Sequence, residues 1–222
     1  MGELLVFSKN RNDLIREAIA DPPDDRALRT IDRLLAAAEK EKVSITFLFL
    51  RIDDIDGIRS RCNARKFRDL TACLLDVLLD KTPEGVYVDC LDRNEFLLVM
   101  PGVTKENGSG ICAQISDRFQ TAASDIFKKE KAPPAISGVL VFFPEDVQNR
   151  IDLISAGREA LHLTQQAGGG RIVQSIDAER HSFSLTGPAL QWDRLAKLAV
   201  KENRTLELLL CEAVDDLLKK YS

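Results

Sequence analysis

The stretch that decides the reading is CLDRNEFLLVMP, residues Cys90 to Pro101. An apolar run ends at Leu91, a polar turn Asp92-Arg93-Asn94 follows, and Glu95 and Phe96 lead into Leu97-Leu98-Val99-Met100. Two apolar runs around a short polar turn predict a β-hairpin with charges at its tip, its arms GVYVDCL (85–91) and EFLLVMP (95–101). Outward from it, VSITFLFLRI (43–52) is rich in β-branched and aromatic residues and reads as a buried central strand, with AISGVLVFF (135–143) as another. Apolar residues at helical spacing predict helices over 12–20, 25–42, 63–79, 109–127 and 152–167. DPPDD (21–25) separates the first two, because proline cannot continue a helix interior. ELLVF (3–7) is a further short strand, and GGGRIVQS (168–175) ends the run as a helix stop, a turn and a short strand. The order predicts an α+β fold, a mostly antiparallel central sheet flanked by helices.

After Ser175 the character changes, with a polar joint at IDAER (176–180). HSFSLT (181–186) alternates apolar and polar residues, GPALQWDRLAKLAVKEN (187–203) carries Trp192, Leu195, Leu198 and Ala199 at helical spacing, and a second helix restarts at Thr205. Three units are therefore expected: an N-terminal extension over 1–20, the main domain over 21–177, and a strand-helix-helix module over 178–222.

Net charge −4 among 222 residues argues against a surface that coats nucleic acid everywhere, while leaving room for a local basic patch. The five cysteines (Cys62, Cys73, Cys90, Cys112, Cys211) form no CxxC pair and suit reduced thiols in a cytoplasmic setting. The two histidines, His162 and His181, are too few for a histidine-based metal site. No apolar run is long enough to span a bilayer, and Met1-Gly2-Glu3 lacks the basic start of a signal peptide, so neither membrane nor export is expected. Nothing in the sequence asks for a cofactor.

Four segments in order resemble the GGDEF domains of diguanylate cyclases, which join two GTP molecules into cyclic di-GMP. FLFLRIDDID (47–56) stands where that family has a strand ending in Asp-x-Asp, and DRNEFLLVMP (92–101) where it has the glycine-glycine-acid-Glu-Phe hairpin. AISGVLVF (135–142) looks like its Ser-x-Gly strand, and ISAGREALHLTQQAGGGRIV (154–173) resembles its final helix and glycine-rich turn.

The departures bear on function. Asp92 and Arg93 replace the two glycines that the resemblance places against the nucleotide, where a Cβ would intrude. Asn94 replaces an acidic metal ligand, and Arg51 takes the place of the other. An arginine there brings its own positive charge to a position meant for magnesium. Asp56 and Gln165 fall where the family has phosphate-touching lysines, and Arg59 falls near its guanine-reading asparagine. Pro83 and Val86 occupy the inhibitory Arg-x-x-Asp position, and of the hairpin motif only Glu95 and Phe96 remain. Phosphoryl transfer needs a held metal and neutralised phosphates, so the resemblance implies a degenerate domain without that chemistry. Arg51 is expected to pair with Asp53, Asp92 or Glu95 in place of the metal. The acidic group Asp53, Asp54 and Asp56 is expected to form internal ion pairs with Arg51 and Arg59 rather than to hold a cation.

The last segment resembles a ribbon-helix-helix module, a dimer in which two short strands pair antiparallel. The resemblance puts Phe183 and Leu185 in a dimer core with Trp192, and Ser182, Ser184 and Thr186 outward, on the face that enters the DNA major groove. From Ala178 onward seven basic residues are balanced by seven acidic ones, which is poor for phosphate neutralisation. The sequence thus implies a non-catalytic signalling regulator with a dimerising tail. A homodimer and a protein partner are expected. DNA binding with a role in transcription regulation, a pure interaction scaffold, and a receptor for GTP or cyclic di-GMP without turnover stay open as alternatives.

Overall fold

The computed structural model describes residues 10–19, 26–81, 86–128, 133–175, 188–202 and 204–221. The predicted strands over 3–7 and 181–186 lie outside them. Helices α1 (Arg11–Ile19) and α2 (Arg26–Glu41) precede strand β1 (Ile45–Ile52). Then come α3 (Ile55–Arg61), α4 (Ala64–Lys81), β2 (Tyr87–Asp92), β3 (Glu95–Pro101), α5 (Lys105–Ile126) and β4 (Ile136–Phe143). The chain continues through α6 (Arg150–Gln166), β5 (Ile172–Gln174), α7 (Ala189–Lys201) and α8 (Leu206–Tyr221). The five strands are ordered β2-β3-β1-β4-β5, antiparallel except for the β4–β5 pair. The fold is α+β with a mostly antiparallel sheet, as the sequence predicts.

Alternation along β1 explains why both faces are covered. Leu48, Leu50 and Ile52 point into one core with Leu70, Leu74, Ile115 and Phe119 of α4 and α5. Ile45, Phe47 and Phe49 point into the other, with Ile31, Leu34, Ile154 and Leu161 of α2 and α6. A strand buried on both faces has no polar side to show, which is why 47–50 is continuously apolar, while buried Thr46 donates its hydroxyl to the Val103 carbonyl at 2.7 Å. Leu14, Ile15 and Ala18 of α1 bury in the α4–α5 core.

Two elements depart from the expected boundaries. Helix α5 starts at Lys105 rather than at 109, because Thr104 caps it and Gly108 lies buried against Thr46 and Leu140. Capping and packing override the low helix propensity of Gly108 and Gly110. Helix α3 has no counterpart in the sequence reading, since seven residues with Ile58 as the one buried side chain leave no periodic stripe.

Candidate functional site

The rungs of the sheet lead directly to the site. On the α6 face, Leu97, Phe49 and Val139 sit side by side across β3, β1 and β4. Two residues further along each strand, the next rung is Glu95, Arg51 and Ser137. An apolar layer therefore ends in a polar one at the hairpin tip. Helix α6 closes over it because Gly157 has no side chain: a Cβ there would lie 2.4 Å from Phe49 Cε2. That close approach sets the next residue, Arg158, above the polar rung.

Glu95 is wholly buried and gripped from two sides. Arg51 Nη2 donates to Oε2 at 2.6 Å, and Arg158 Nε donates to Oε1 at 2.7 Å. Burial alone would push the Glu95 carboxyl up. The positive charges and hydrogen bonds of Arg158 and Arg51 outweigh it and hold the group down at about 2. Burial disfavours the Arg158 cation, but the Glu95 charge more than compensates and its pKa rises. Pairing of Arg51 with a local acid is thus observed, and Glu95 is the acid.

At the tip, Asn94 adopts a left-handed backbone, φ 60°, which asparagine tolerates better than most non-glycine residues. Its Nδ2 donates to the Ile52 carbonyl at 2.8 Å, and the Ile52 N–H donates to Oδ1 at 3.3 Å. Arg93 points outward, whereas Phe96 is fully buried in the α4–α5 core. Asp92 meets Arg204, whose Nη2 lies 3.9 Å from Oδ2. Arg204 Nη1 also bonds the carboxylate of Glu212 on α8, at 2.6 Å to Oε2. Six charged side chains, three of each sign, thus run from β1 through the hairpin and α6 to the α7–α8 turn.

The acidic group after β1 is arranged otherwise than expected. Asp53 makes neither of its expected ion pairs and is held by neutral donors: Ser137 Oγ at 2.9 Å, Gln165 Nε2 at 2.9 Å and the Gly170 N–H at 2.8 Å. Gly169 packs so tightly on it that a Cβ would come within 2.8 Å of Asp53 Oδ2. The Gly168–Gly170 turn is therefore a helix stop folded onto a carboxylate. Asp54 pairs with Arg61 at 3.1 Å rather than with Arg51 or Arg59. Arg59 instead lies over the Phe67 ring, 4.8 Å from its centre. Among the described residues no group of three or more His, Cys, Asp or Glu side chains could hold a metal ion.

Of the tail residues singled out in the sequence, Ser182, Phe183, Ser184, Leu185 and Thr186 lie outside the described residues. Trp192 is half-buried on α7. Arg158 escaped the sequence reading. Its signal was an arginine between Ile154 and Leu161 on the inward stripe of α6, a position that demands a buried acid.

Neither a protein-family model nor a curated protein matches the sequence. Solved structures do. The active GGEEF domain of a diguanylate cyclase from Vibrio cholerae superposes with a TM-score of 0.59 at 15% identity, covering 69% of this chain and 97% of that one. The chain has the GGDEF-domain fold. The GGDEF domain of DgcB from Caulobacter crescentus, in complex with c-di-GMP, gives 0.55 at 12% identity over 68% of this chain and 89% of the other. Diguanylate cyclase SiaD from Pseudomonas aeruginosa, in complex with its activator SiaC, gives 0.57 at 13% identity over 73% and 64%. At such identities the likeness is one of fold, so the chemistry of this chain rests on its own residues.

Proposed function

We propose that this chain is a non-catalytic regulator: a GGDEF-fold scaffold in cyclic di-GMP signalling, with a C-terminal helical pair that serves as its assembly surface. The observation that carries the reading is the clamp on Glu95. Two guanidiniums neutralise the one buried carboxylate at the hairpin tip, and Asn94 turns its amide to the backbone of Ile52. A divalent cation needs carboxylate oxygens free to ligate it. Here the positive charge at the site is built into the protein.

The assembly role is supported by α7 and α8. Leu190, Leu198, Val200, Val214 and Leu217 are exposed on these helices, at 62%, 42%, 83%, 43% and 53%. These are nearly all the large exposed apolar side chains among the described residues, Ile151 being the other. A concentration of this kind marks an interaction surface. A second copy of the chain is the occupant we propose, in a symmetric pair with 178–222 as the dimerising segment. SiaD, which shares the fold, is known in complex with a protein activator, and a protein partner on the same scaffold is the complementary expectation.

The test uses the full chain with GTP and magnesium or manganese, chromatography for cyclic di-GMP, and light scattering for mass. The reading expects no cyclic di-GMP, a dimer, and a monomer once 178–222 are deleted. Turnover by the wild type overturns the non-catalytic reading, and a truncated chain that stays dimeric moves the interface to the sheet domain.

A further inference from the structure

The corner between α3 and α4 is crowded with cations. Residues 59–68, RSRCNARKFR, hold Arg59, Arg61, Arg65, Lys66 and Arg68 and no acid, in a chain whose net charge is −4. All four arginines are exposed. Arg61 reaches Asp54 at 3.1 Å, as Arg11 reaches Asp76, Arg118 reaches Asp80 and Arg150 reaches Asp32 elsewhere on the surface. Arg65 and Arg68, one helical turn apart on α4, have no hydrogen-bond or ion-pair partner among the described residues, although Asp69 adjoins them in sequence.

Two of the other cations are held in position by rings. The Arg59 guanidinium lies 4.8 Å from the centre of Phe67, and Lys66 Nζ lies 3.8 Å from that of Phe127. A guanidinium over a ring keeps its in-plane N–H donors free, so the contact orients the group without consuming it. The corner is also the start of α4, where the Asn63 side chain accepts from the Lys66 N–H at 2.8 Å and the helix dipole adds positive potential.

We infer that the α3–α4 corner binds the phosphate backbone of nucleic acid. Arginine favours phosphate through its planar fork of donors, and four of the five cations are arginine. The cations lie along two successive helices, while the cavities beside α2, α6 and α5 are lined by other residues. That spread suits a series of phosphates better than one pocketed phosphate. No large apolar side chain is exposed on α3 or α4, so the corner offers nothing to insert into a membrane. The described residues of the corner present no exposed aromatic side chain, and contacts to phosphate alone are indifferent to sequence. The inference is independent of the non-catalytic reading and places the contact away from the C-terminal helices.

The experiment is fluorescence anisotropy of the full chain with a labelled 20-nucleotide single strand and a duplex of the same length, from low to moderate salt. Binding in the micromolar range at low salt is expected, with a log–log salt slope of about −2 to −3.5 for the single strand and about −2.7 to −4.5 for the duplex, for some three to five backbone contacts. Arg65→Ala with Arg68→Ala should weaken it about tenfold and flatten the slope by about 1.4 for the single strand and about 1.8 for the duplex, the two contacts removed. Both sites are exposed, so melts of this variant should match the wild type. Arg194→Glu with Lys197→Glu on α7 should leave binding unchanged. Four results would overturn the inference: no binding at low salt, equal binding by the Arg65/Arg68 variant, loss in the α7 variant alone, or capture by anionic lipid vesicles without oligonucleotide binding.

Discussion

The side-chain amide of Asn94 and the backbone of Ile52 bond in both directions, at 2.8 and 3.3 Å. The pair prolongs the β1–β3 ladder by one step beyond its last backbone rung, Arg51 opposite Glu95. Only a group that both donates and accepts can do this. Aspartate is acceptor-only when ionised and would turn an oxygen toward the Ile52 carbonyl. Asn94→Asp should therefore lower stability by about 1–3 kcal/mol, the cost of a buried carbonyl left unpaired, read from the denaturant midpoint. An unchanged midpoint would remove the structural role of this amide.

Glu95 makes stability depend on acid. Its carboxyl is held at about 2 in the folded chain, below the ordinary value of 4.5. The unfolded chain therefore takes up this proton first as pH falls. The contribution is complete above the unfolded value and lost as pH drops from about 5 toward 2, on the order of 3 kcal/mol at about 1.4 kcal/mol per unit. Unfolding by denaturant at pH 7, 5, 4 and 3 should show this loss in the wild type and a shallower one in Glu95→Gln. Parallel profiles for the two proteins would contradict the clamp.

Arg158→Met leaves Glu95 with one guanidinium instead of two. Breaking a buried pair costs about 3–5 kcal/mol, whereas removing both partners costs much less. Arg158→Met alone should unfold at clearly lower denaturant, and Arg158→Met with Glu95→Leu should recover part of the loss. A double variant no better than the sum of its singles would mean the two side chains do not act as a pair.

Gly157→Ala places a methyl group where the Phe49 ring lies, 2.4 Å from its nearest atom. Neither the ring nor α6 can yield freely in a packed core, so a loss of about 1–3 kcal/mol is expected. Phe49→Leu should relieve it in the double variant. A silent Gly157→Ala would show that α6 does not rest on β1 as described.

Arg204 ties the C-terminal helices to the hairpin through Asp92 and Glu212. Arg204→Glu should raise amide hydrogen exchange through α8 while leaving β1 and β3 unchanged, since the sheet owes nothing to this contact. Equal exchange in α8 would mean that packing of α8 on α6 alone holds the tail.

The sheet was legible in the sequence because a strand covered on both faces is written as an uninterrupted apolar run, as in Phe47–Leu50, and because the Asp92–Asn94 turn sits between two of them. Helices α4 and α6 showed in the spacing of Leu70, Leu74 and Leu78 and of Ile154 and Leu161. The pairing of Arg51 was legible in outline, since a cation at the end of a buried strand needs an acid. Which acid depends on the β1–β3 register, and a one-residue slip would have turned Glu95 to the other face. Asp53 was misread for the complementary reason: nearby arginines in sequence suggested ion pairs, while the three neutral donors that hold it come from β4, α6 and the glycine turn. The approach of the α7–α8 turn to Asp92 has no local signal at all, because it joins residues over a hundred positions apart.

In the proposed site Arg51 and Arg158 supply the positive charge that a metal-dependent site would take from a cation. Titration calorimetry of the full chain with manganese, in the presence and absence of a non-hydrolysable GTP analogue, tests this most directly. With the positive charge built in, no saturable heat for the metal is expected at millimolar concentration in either case. Stoichiometric manganese binding that depends on the nucleotide, and that is lost in Glu95→Gln, would contradict it.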